Sequence, residues 1–272
     1  YITTLLSPEQ RERSGPKNGA LATATVAFDP SGAISVAVSS VPQGQGHRTV
    51  LAQVVADVFA CDPGEVAVAT EHDTAKDPWT IASGNYASRF AGAVAGATHT
   101  AALQLRDRLS LIAAADLNIP PEDVAYGNGR IFARGNPDNS LPLGRSAAKA
   151  HWSPLSIPDA AGAGLRETAF WNMPELAEPD EGDRINSSGA YGFIFDYCGV
   201  EVDPETYAVR IDRYVTMHDA GRLLNPMLAD GQIRGGFAQG MGAALLEELC
   251  YAPDGSFQAG TLADYLAPTA ME

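Results

Sequence analysis

The chain has 272 residues, of which 45% are hydrophobic and 19% are charged, a composition typical of a globular protein with its own core. Its formal net charge of −15 argues against nucleic-acid and anionic-membrane partners, because such partners require clustered lysine and arginine. No apolar run is long enough to cross a bilayer. The three cysteines, Cys61, Cys198 and Cys250, are far apart in the sequence, which indicates reduced thiols and a cytoplasmic location.

The first third of the chain predicts a hairpin, a helix and a further strand. The runs ATATVAFD and AISVAVSS flank the turn signal DPSG at residues 29–32, a pattern typical of a β-hairpin. Apolar residues within 50–59 recur on one helical face, which predicts an amphipathic helix. Residues 62–64 (DPG) end that helix before a strand, EVAVATE. The polar stretch SVPQGQGHRT, residues 40–49, lies between the hairpin and the helix.

The middle of the chain is mostly helical and then irregular. Residues 86–117 are rich in alanine and predict one or two long helices, which end before the proline pair at 120–121. Asn128-Gly129 between two short apolar runs predicts a small hairpin. Residues 135–189 are rich in Pro, Gly, Asp and Glu, and we expect an irregular connecting segment with one short helix at SAAKAHW.

The last part predicts a second hairpin followed by a glycine-rich helix. AYGFIFDYCGVEVD and YAVRIDRYVTMHD flank a turn at 203–206. Asn225-Pro226 then supplies an N-cap and a first-turn proline. Five glycines interrupt the helix, and their cost of about 1 kcal/mol each relative to alanine suggests close approach by another group. The predicted fold class is α+β, with antiparallel hairpins layered with long helices, in two sub-lobes (about 1–134 and 190–272) joined by residues 135–189.

Three stretches have chemistry suited to a ligand. In QGQGH, glycines at a strand-to-helix junction allow a ligand to approach backbone amides, and glutamine side chains can hydrogen-bond the edge of a pterin or purine ring. In SGNYASRFAGA, residues 83–93, a Ser/Gly-rich turn opens a helix. In GGFAQGMG, Gln239 lies among small residues and requires a polar partner if it is buried. For each stretch alone, an ordinary turn, a helix cap or a core glutamine remains an alternative interpretation.

The same stretches, taken together and in order, resemble one family. SVPQGQGHRTVLAQVVAD, ASGNYASRFAGAVAG, VEVDPETYAVRIDRYVTMHDAGRLLNPMLADGQIRGGFAQGMGAALLEEL and DYLAPTA are similar to the molybdopterin-binding large subunit of the xanthine dehydrogenase/aldehyde oxidase family, and most similar to its bacterial three-subunit type. The resemblance extends over most of the chain and implies a portion of the second molybdopterin-binding domain.

The resemblance implies a set of cofactor contacts and no protein ligand to the metal, because the cofactor itself holds the molybdenum. The implied contacts are Gln43, Gly44, Gln45, Gly46, His47, Thr49, Ala87, Ser88, Arg89 and Gln239. The implied cofactor is molybdopterin with Mo, in the cytosine dinucleotide form. The family's general-base glutamate lies in a Gly-Glu motif beyond DYLAPTA, so no catalytic residue is expected within these 272 residues.

The implied activity is oxidative hydroxylation of an N-heteroaromatic, purine or aldehyde substrate, in which the cofactor performs the redox step and the protein positions the reactants. The implied partners are an iron–sulfur subunit with 2Fe-2S clusters, a flavin subunit with FAD, and the remaining domains of the large subunit. The chain therefore resembles a fragment that is inactive alone. The alternative is a non-catalytic relative that acts as an interaction or scaffold module.

Overall fold

A computed structural model describes residues 21–71, 73, 75, 88–176, 180–184, 186 and 189–270. The chain divides into two compact units, Tyr1–Ala190 and Tyr191–Glu272. Both contain helices and β-structure, so the fold is α+β, as the sequence predicts. In the part of the chain that is described, no helix is long and apolar enough to span a membrane.

The core of the first unit is built on a four-stranded sheet. Its strands are β1 (Ala22–Phe28), β2 (Ile34–Val38), β3 (Val66–Ala69) and β7 (Arg166–Trp171), in the order β3-β2-β1-β7. Strand β1 pairs antiparallel with both β2 and β7, which confirms the predicted first hairpin.

The turn of this hairpin is closed by an aspartate. The Asp29 carboxylate accepts hydrogen bonds from the backbone N–H groups of Ser31 (2.8 Å) and Ala33 (3.0 Å) and from the Ser31 hydroxyl. These bonds favour the charged carboxylate and lower the pKa of Asp29. The turn therefore follows from local side-chain chemistry, which is why the sequence predicts it.

Helix α1 (His47–Phe59) crosses from β2 to β3, and these two strands run parallel, with Ile34 opposite Val66. The antiparallel arrangement predicted for the hairpins therefore does not extend to this pair of strands. A helix between two neighbouring strands returns the chain to the starting end of the sheet, so the second strand runs in the same direction as the first. The QGQG loop therefore lies at the carboxyl end of β2, directly before the helix.

Helix α2 (Ala95–Leu117) confirms the predicted long helix and forms the centre of the core. Its buried leucine, isoleucine and alanine side chains form one cluster with β1, α1 and β7. A π-helical turn, Phe90–Val94, precedes it. Asn118, in the left-handed conformation with φ 55°, ends the helix before the proline pair.

A second sheet contains β4 (Val124–Gly127), β5 (Arg130–Ala133) and β6 (Asn136–Pro142). The predicted turn between β4 and β5 is confirmed, and both of its residues have positive φ, 49° at Asn128 and 68° at Gly129, as a type I′ turn requires. The segment predicted to be irregular contains β6, helix α3 (Leu143–Trp152) and β7. Helix α3 includes the predicted SAAKAHW helix.

The second unit contains the hairpin of β8 (Phe193–Val202) and β9 (Val209–Asp219), followed by helix α4 (Pro226–Leu245). The sequence predicts both. Helix α4 begins at the predicted cap, where the Asn225 side chain accepts a hydrogen bond from the Leu228 N–H at 2.9 Å. The ring of Phe237 on α4 lies 4.4 Å from the ring of Tyr214 on β9, so helix and hairpin pack together.

We expect Asn225→Ala to lower the free energy of unfolding by about 1 kcal/mol, because the mutation leaves the Leu228 N–H without its side-chain acceptor. Urea denaturation of the purified protein measures the effect. Asn225→Asp retains an oxygen in the same position and is the matched control. Equal destabilisation by both variants would contradict the capping role.

Candidate functional site

The loop between β2 and α1 has a backbone that only glycine adopts readily. Gly44 and Gly46 have φ values of 97° and 80°. Apart from Gly44 and its two chain neighbours, no described atom lies within 4 Å of the position that a Cβ at Gly44 would occupy. The Gln45 carboxamide oxygen accepts a hydrogen bond from the Gln43 N–H at 2.6 Å. Because this bond uses the carboxamide oxygen, the Gln45 NH₂ group still has two donors, for which the described residues show no acceptor.

Helix α1 begins directly after this loop, with Gly46 as its N-cap. Among the described residues, no side chain caps the helix and no acidic residue occupies its first turn. The N-terminus therefore keeps its partial positive charge and its unpaired backbone N–H groups, which are the features that bind anions at helix N-termini. Gln43, Gly44 and Thr49 are exposed, whereas Gln45 and Gly46 are half-buried.

The start of α1 is also tied to the end of β3. Arg48 Nε donates to the Thr70 hydroxyl at 3.2 Å, and the same guanidinium forms an ion pair with Glu71. The ion pair and backbone hydrogen bonds lower the pKa of Glu71, with the backbone bonds as the larger cause. These contacts fix the direction in which the helix N-terminus points.

His47, the first residue of α1, turns into the protein. Its side chain is 2% exposed, and its ring lies flat on the ring of Phe90, with centroids 3.7 Å apart and planes at 4°. Nδ1 has no hydrogen-bond partner in the described structure, which costs about 1–3 kcal/mol for a buried polar group. Burial lowers the pKa of His47, because removal from water disfavours the imidazolium.

The second predicted contact turn lies immediately before Phe90. Ser88 is exposed and has a φ of 51° in the left-handed region. Arg89 is buried, and its guanidinium donates to the Leu21 carbonyl at 3.4 Å. Ala87 lies outside the described residues. The His47–Phe90 stack therefore brings the QGQG loop and the Ser88–Arg89 turn to one side of the first unit.

Trp171 and Met173 pack against the π-helical turn that follows Ser88 and Arg89. The sequence does not single out either residue. The Trp171 indole N–H donates to the Gly92 carbonyl within the π-helical turn at 3.0 Å. A Cβ on Gly92 would lie 2.2 Å from the Met173 sulfur. The glycines at i and i+4, Gly92 and Gly96, are the sequence signal for this close approach, but the sequence does not show which residues approach them.

Gln239 lies in α4, in the second unit, and is exposed. It is thus not the core glutamine that one interpretation of the sequence predicts. For four of the five glycines of α4, no described atom beyond the chain neighbours and the backbone of α4 itself lies within 4 Å of a would-be Cβ. The four are Gly231, Gly235, Gly236 and Gly240. Only Gly242 shows close approach, to Pro268.

A cavity of about 730 Å³ lies elsewhere in the first unit, lined by Arg106, Glu122, Tyr126 and Arg134 among others. Tyr126 is bonded to the Ser110 hydroxyl at 2.8 Å, and burial raises its pKa to about 12. Across the described ranges, no group of three or more His, Cys, Asp or Glu residues could hold a metal ion. None of the predicted contacts is among the residues that line this cavity.

Comparison with known proteins identifies the class. Residues 4–272 match the family described as "Molybdopterin cofactor-binding domain", and the chain belongs to this family. The match covers nearly the whole chain and includes the QGQG loop, the Ser88–Arg89 turn and helix α4. The family resemblance read from the sequence is therefore confirmed.

The individual relatives are named as a hydroxylase, a dehydrogenase and an oxidoreductase. The chain is 31% identical over 247 residues to the nicotine 6-hydroxylase large subunit of Paenarthrobacter nicotinovorans, covering 91% of this chain and 28% of that protein. It is 27% identical to the carbon monoxide dehydrogenase large chain of Hydrogenophaga pseudoflava, with 91% and 28% covered. The structure of quinoline 2-oxidoreductase from Pseudomonas putida 86 matches with a TM-score of 0.77 and 33% identity, over 92% of this chain and 30% of that one. The chain thus spans less than a third of these relatives.

Proposed function

We propose that this chain is the cofactor-binding portion of the large subunit of a molybdenum hydroxylase, which oxidatively hydroxylates an N-heteroaromatic, purine or aldehyde substrate. The observation that carries the proposal is the family match over residues 4–272. Two of the relatives are named for nicotine and quinoline, which are N-heteroaromatic compounds, and this class is therefore the first to test.

The residues present fit a pterin dinucleotide. The space above Gly44 is open, so the edge of a ring system can approach the loop backbone closely. Gln43 and Gln45 supply carboxamide donors and acceptors for a pterin edge. The uncapped N-terminus of α1 suits a phosphate group.

Each of these groups has a separate task in the proposed site. The QGQG loop would bind and orient the pterin, and Ser88 with the adjacent backbone would support it. Gln239 is assigned as a further pterin contact. The bound cofactor supplies the redox chemistry. The protein's contribution is to bind the cofactor, fix its orientation and exclude water.

The finer assignments rest on the family resemblance read from the sequence. We assign the cofactor as the cytosine dinucleotide form, and the partners as an iron–sulfur subunit with 2Fe-2S clusters, a flavin subunit with FAD, and further large-subunit domains. Relatives named as a large subunit, a large chain and a subunit of a dehydrogenase complex support this arrangement. The three free cysteines are consistent with the proposed cytoplasmic location.

The proposal is tested on the natural assembly, expressed from its complete gene set in a host that makes the cofactor. Metal analysis is expected to give stoichiometric molybdenum, oxidised extracts to show pterin fluorescence, and acid hydrolysis to release CMP. Turnover with nicotine-like heterocycles, purines and aldehydes then identifies the substrate class. An intact assembly without molybdenum or pterin would contradict the proposal and favour a scaffold role.

Gln45→Ala in that assembly is expected to lower the molybdenum content several-fold, because it removes the carboxamide that orders the loop through the Gln43 N–H and that contacts the pterin. Metal and pterin per folded protein measure the effect. Gln104→Ala, at an exposed position on α2, is the matched control and should retain full content. Unchanged molybdenum in Gln45→Ala would refute the role assigned to Gln45.

A further inference from the structure

His47 directly follows the QGQG loop, yet its side chain points away from any ligand that the loop could hold. His47 is buried, and its ring is covered on one face by Phe90. A direct contact with the cofactor would require the ring to leave this stack. His47 therefore acts on the loop through its backbone, as the residue that joins Gly46 to helix α1.

The other half of the stack belongs to the second contact turn. Phe90 begins the π-helical turn that follows Ser88 and Arg89. The Trp171 indole N–H also donates a hydrogen bond to this turn, at the Gly92 carbonyl. A planar contact with centroids 3.7 Å apart fixes both the distance between the two segments and their rotation. A rounded aliphatic side chain would fix only the distance.

Hydrogen bonding at Nδ1 does not explain the burial of the ring. Nδ1 has no partner among the described atoms, so hydrogen bonding at Nδ1 does not hold the ring in place. What the ring supplies is a flat, rigid shape against Phe90. A phenyl ring has the same property.

We propose that His47 is a positioning residue that holds the QGQG loop and the Ser88–Arg89 turn together as one cofactor-binding wall by stacking on Phe90. This inference rests on the proposed function. If the flat shape of the ring is what matters at position 47, His47→Phe should retain the cofactor and His47→Ala should lose it.

The experiment compares His47→Phe and His47→Ala in the complete assembly from a cofactor-producing host. His47→Phe is expected to keep molybdenum and pterin per folded protein near the unmodified level, and His47→Ala to lose several-fold. Ile112→Val, which removes a methyl group from a fully buried position on α2, controls for general destabilisation and should keep its cofactor. Full content in His47→Ala, or equal loss in both His47 variants, would overturn the inference.

Amide hydrogen exchange on the cofactor-free protein separates this inference from the proposed function. His47→Ala is expected to exchange several-fold faster than the unmodified protein in both 43–49 and 88–92, whereas His47→Phe should remain close to it. This result does not depend on any cofactor. If the unmodified assembly holds no molybdenum, the proposed function is wrong. The hydrogen-exchange rates still show whether the His47–Phe90 stack joins the two segments. Faster exchange in only one segment would refute the coupling.

Discussion

Arg108→Met is expected to lower the free energy of unfolding by about 2–4 kcal/mol, because one guanidinium on α2 satisfies several carbonyls of the loop that leads into β7. Nε donates to the Ala161 carbonyl at 2.7 Å, and Nη2 donates to the Gly164 carbonyl at 2.9 Å. Nη1 forms an ion pair with Glu167, and both side chains are about a quarter exposed. Urea denaturation with an unchanged m-value would measure this loss.

The carbonyl contacts and the ion pair can be separated by two further variants. Glu167→Gln removes the charge and retains an acceptor, so we expect a loss of less than about 1 kcal/mol, as is usual for a solvent-accessible pair. Arg108→Lys keeps the charge but lacks the planar fork and should lie between the two. If Glu167→Gln destabilises as much as Arg108→Met, the ion pair rather than the carbonyl contacts holds the loop.

Those parts of the fold that local chemistry determines could be predicted from the sequence. Residues 29–32 carry their own turn hydrogen bonds, Asn128-Gly129 tolerates the positive φ values of a type I′ turn, and Asn225 caps α4 with its side chain. Each signal operates within a few residues. The parallel pairing of β2 with β3 could not be predicted in the same way, because the strand beside which β3 lies is set by tertiary packing and not by nearby residues.

In the candidate site too, features set by nearby residues could be predicted, and features set by tertiary packing could not. The backbone geometry of the QGQG loop is determined locally, because the positive φ values at 44 and 46 require glycine, and the glycines are visible in the sequence. The inward direction of His47 depends on Phe90, which is 43 positions later in the chain, and no local pattern links the two. The exposure of Gln239 likewise depends on what packs around α4. Sequence could therefore predict the residue types of the site but not which side chains serve as its support.

Gly96→Ala is expected to destabilise the first unit by about 1–3 kcal/mol, the usual cost of overpacking. A Cβ at this position would lie 2.4 Å from Nε1 and 2.6 Å from Cδ1 of Trp171, so the indole would have to move. That movement also breaks its hydrogen bond to the Gly92 carbonyl. The sign is opposite to that of an ordinary glycine-to-alanine change in a helix, which stabilises by about 1 kcal/mol.

Gly231→Ala on α4 is the matched control, because no described atom beyond the chain neighbours and the backbone of α4 itself lies within 4 Å of its would-be Cβ. It should stabilise by about 1 kcal/mol. A double-mutant cycle with Trp171→Phe identifies the cause, since the smaller ring makes room for the new methyl group and the coupling energy should be favourable. Chemical denaturation of the four proteins in the cycle measures that energy. Additive losses would show that Trp171 is not what excludes a side chain at 96. A favourable coupling would show that the Trp171 indole is what excludes a side chain at position 96.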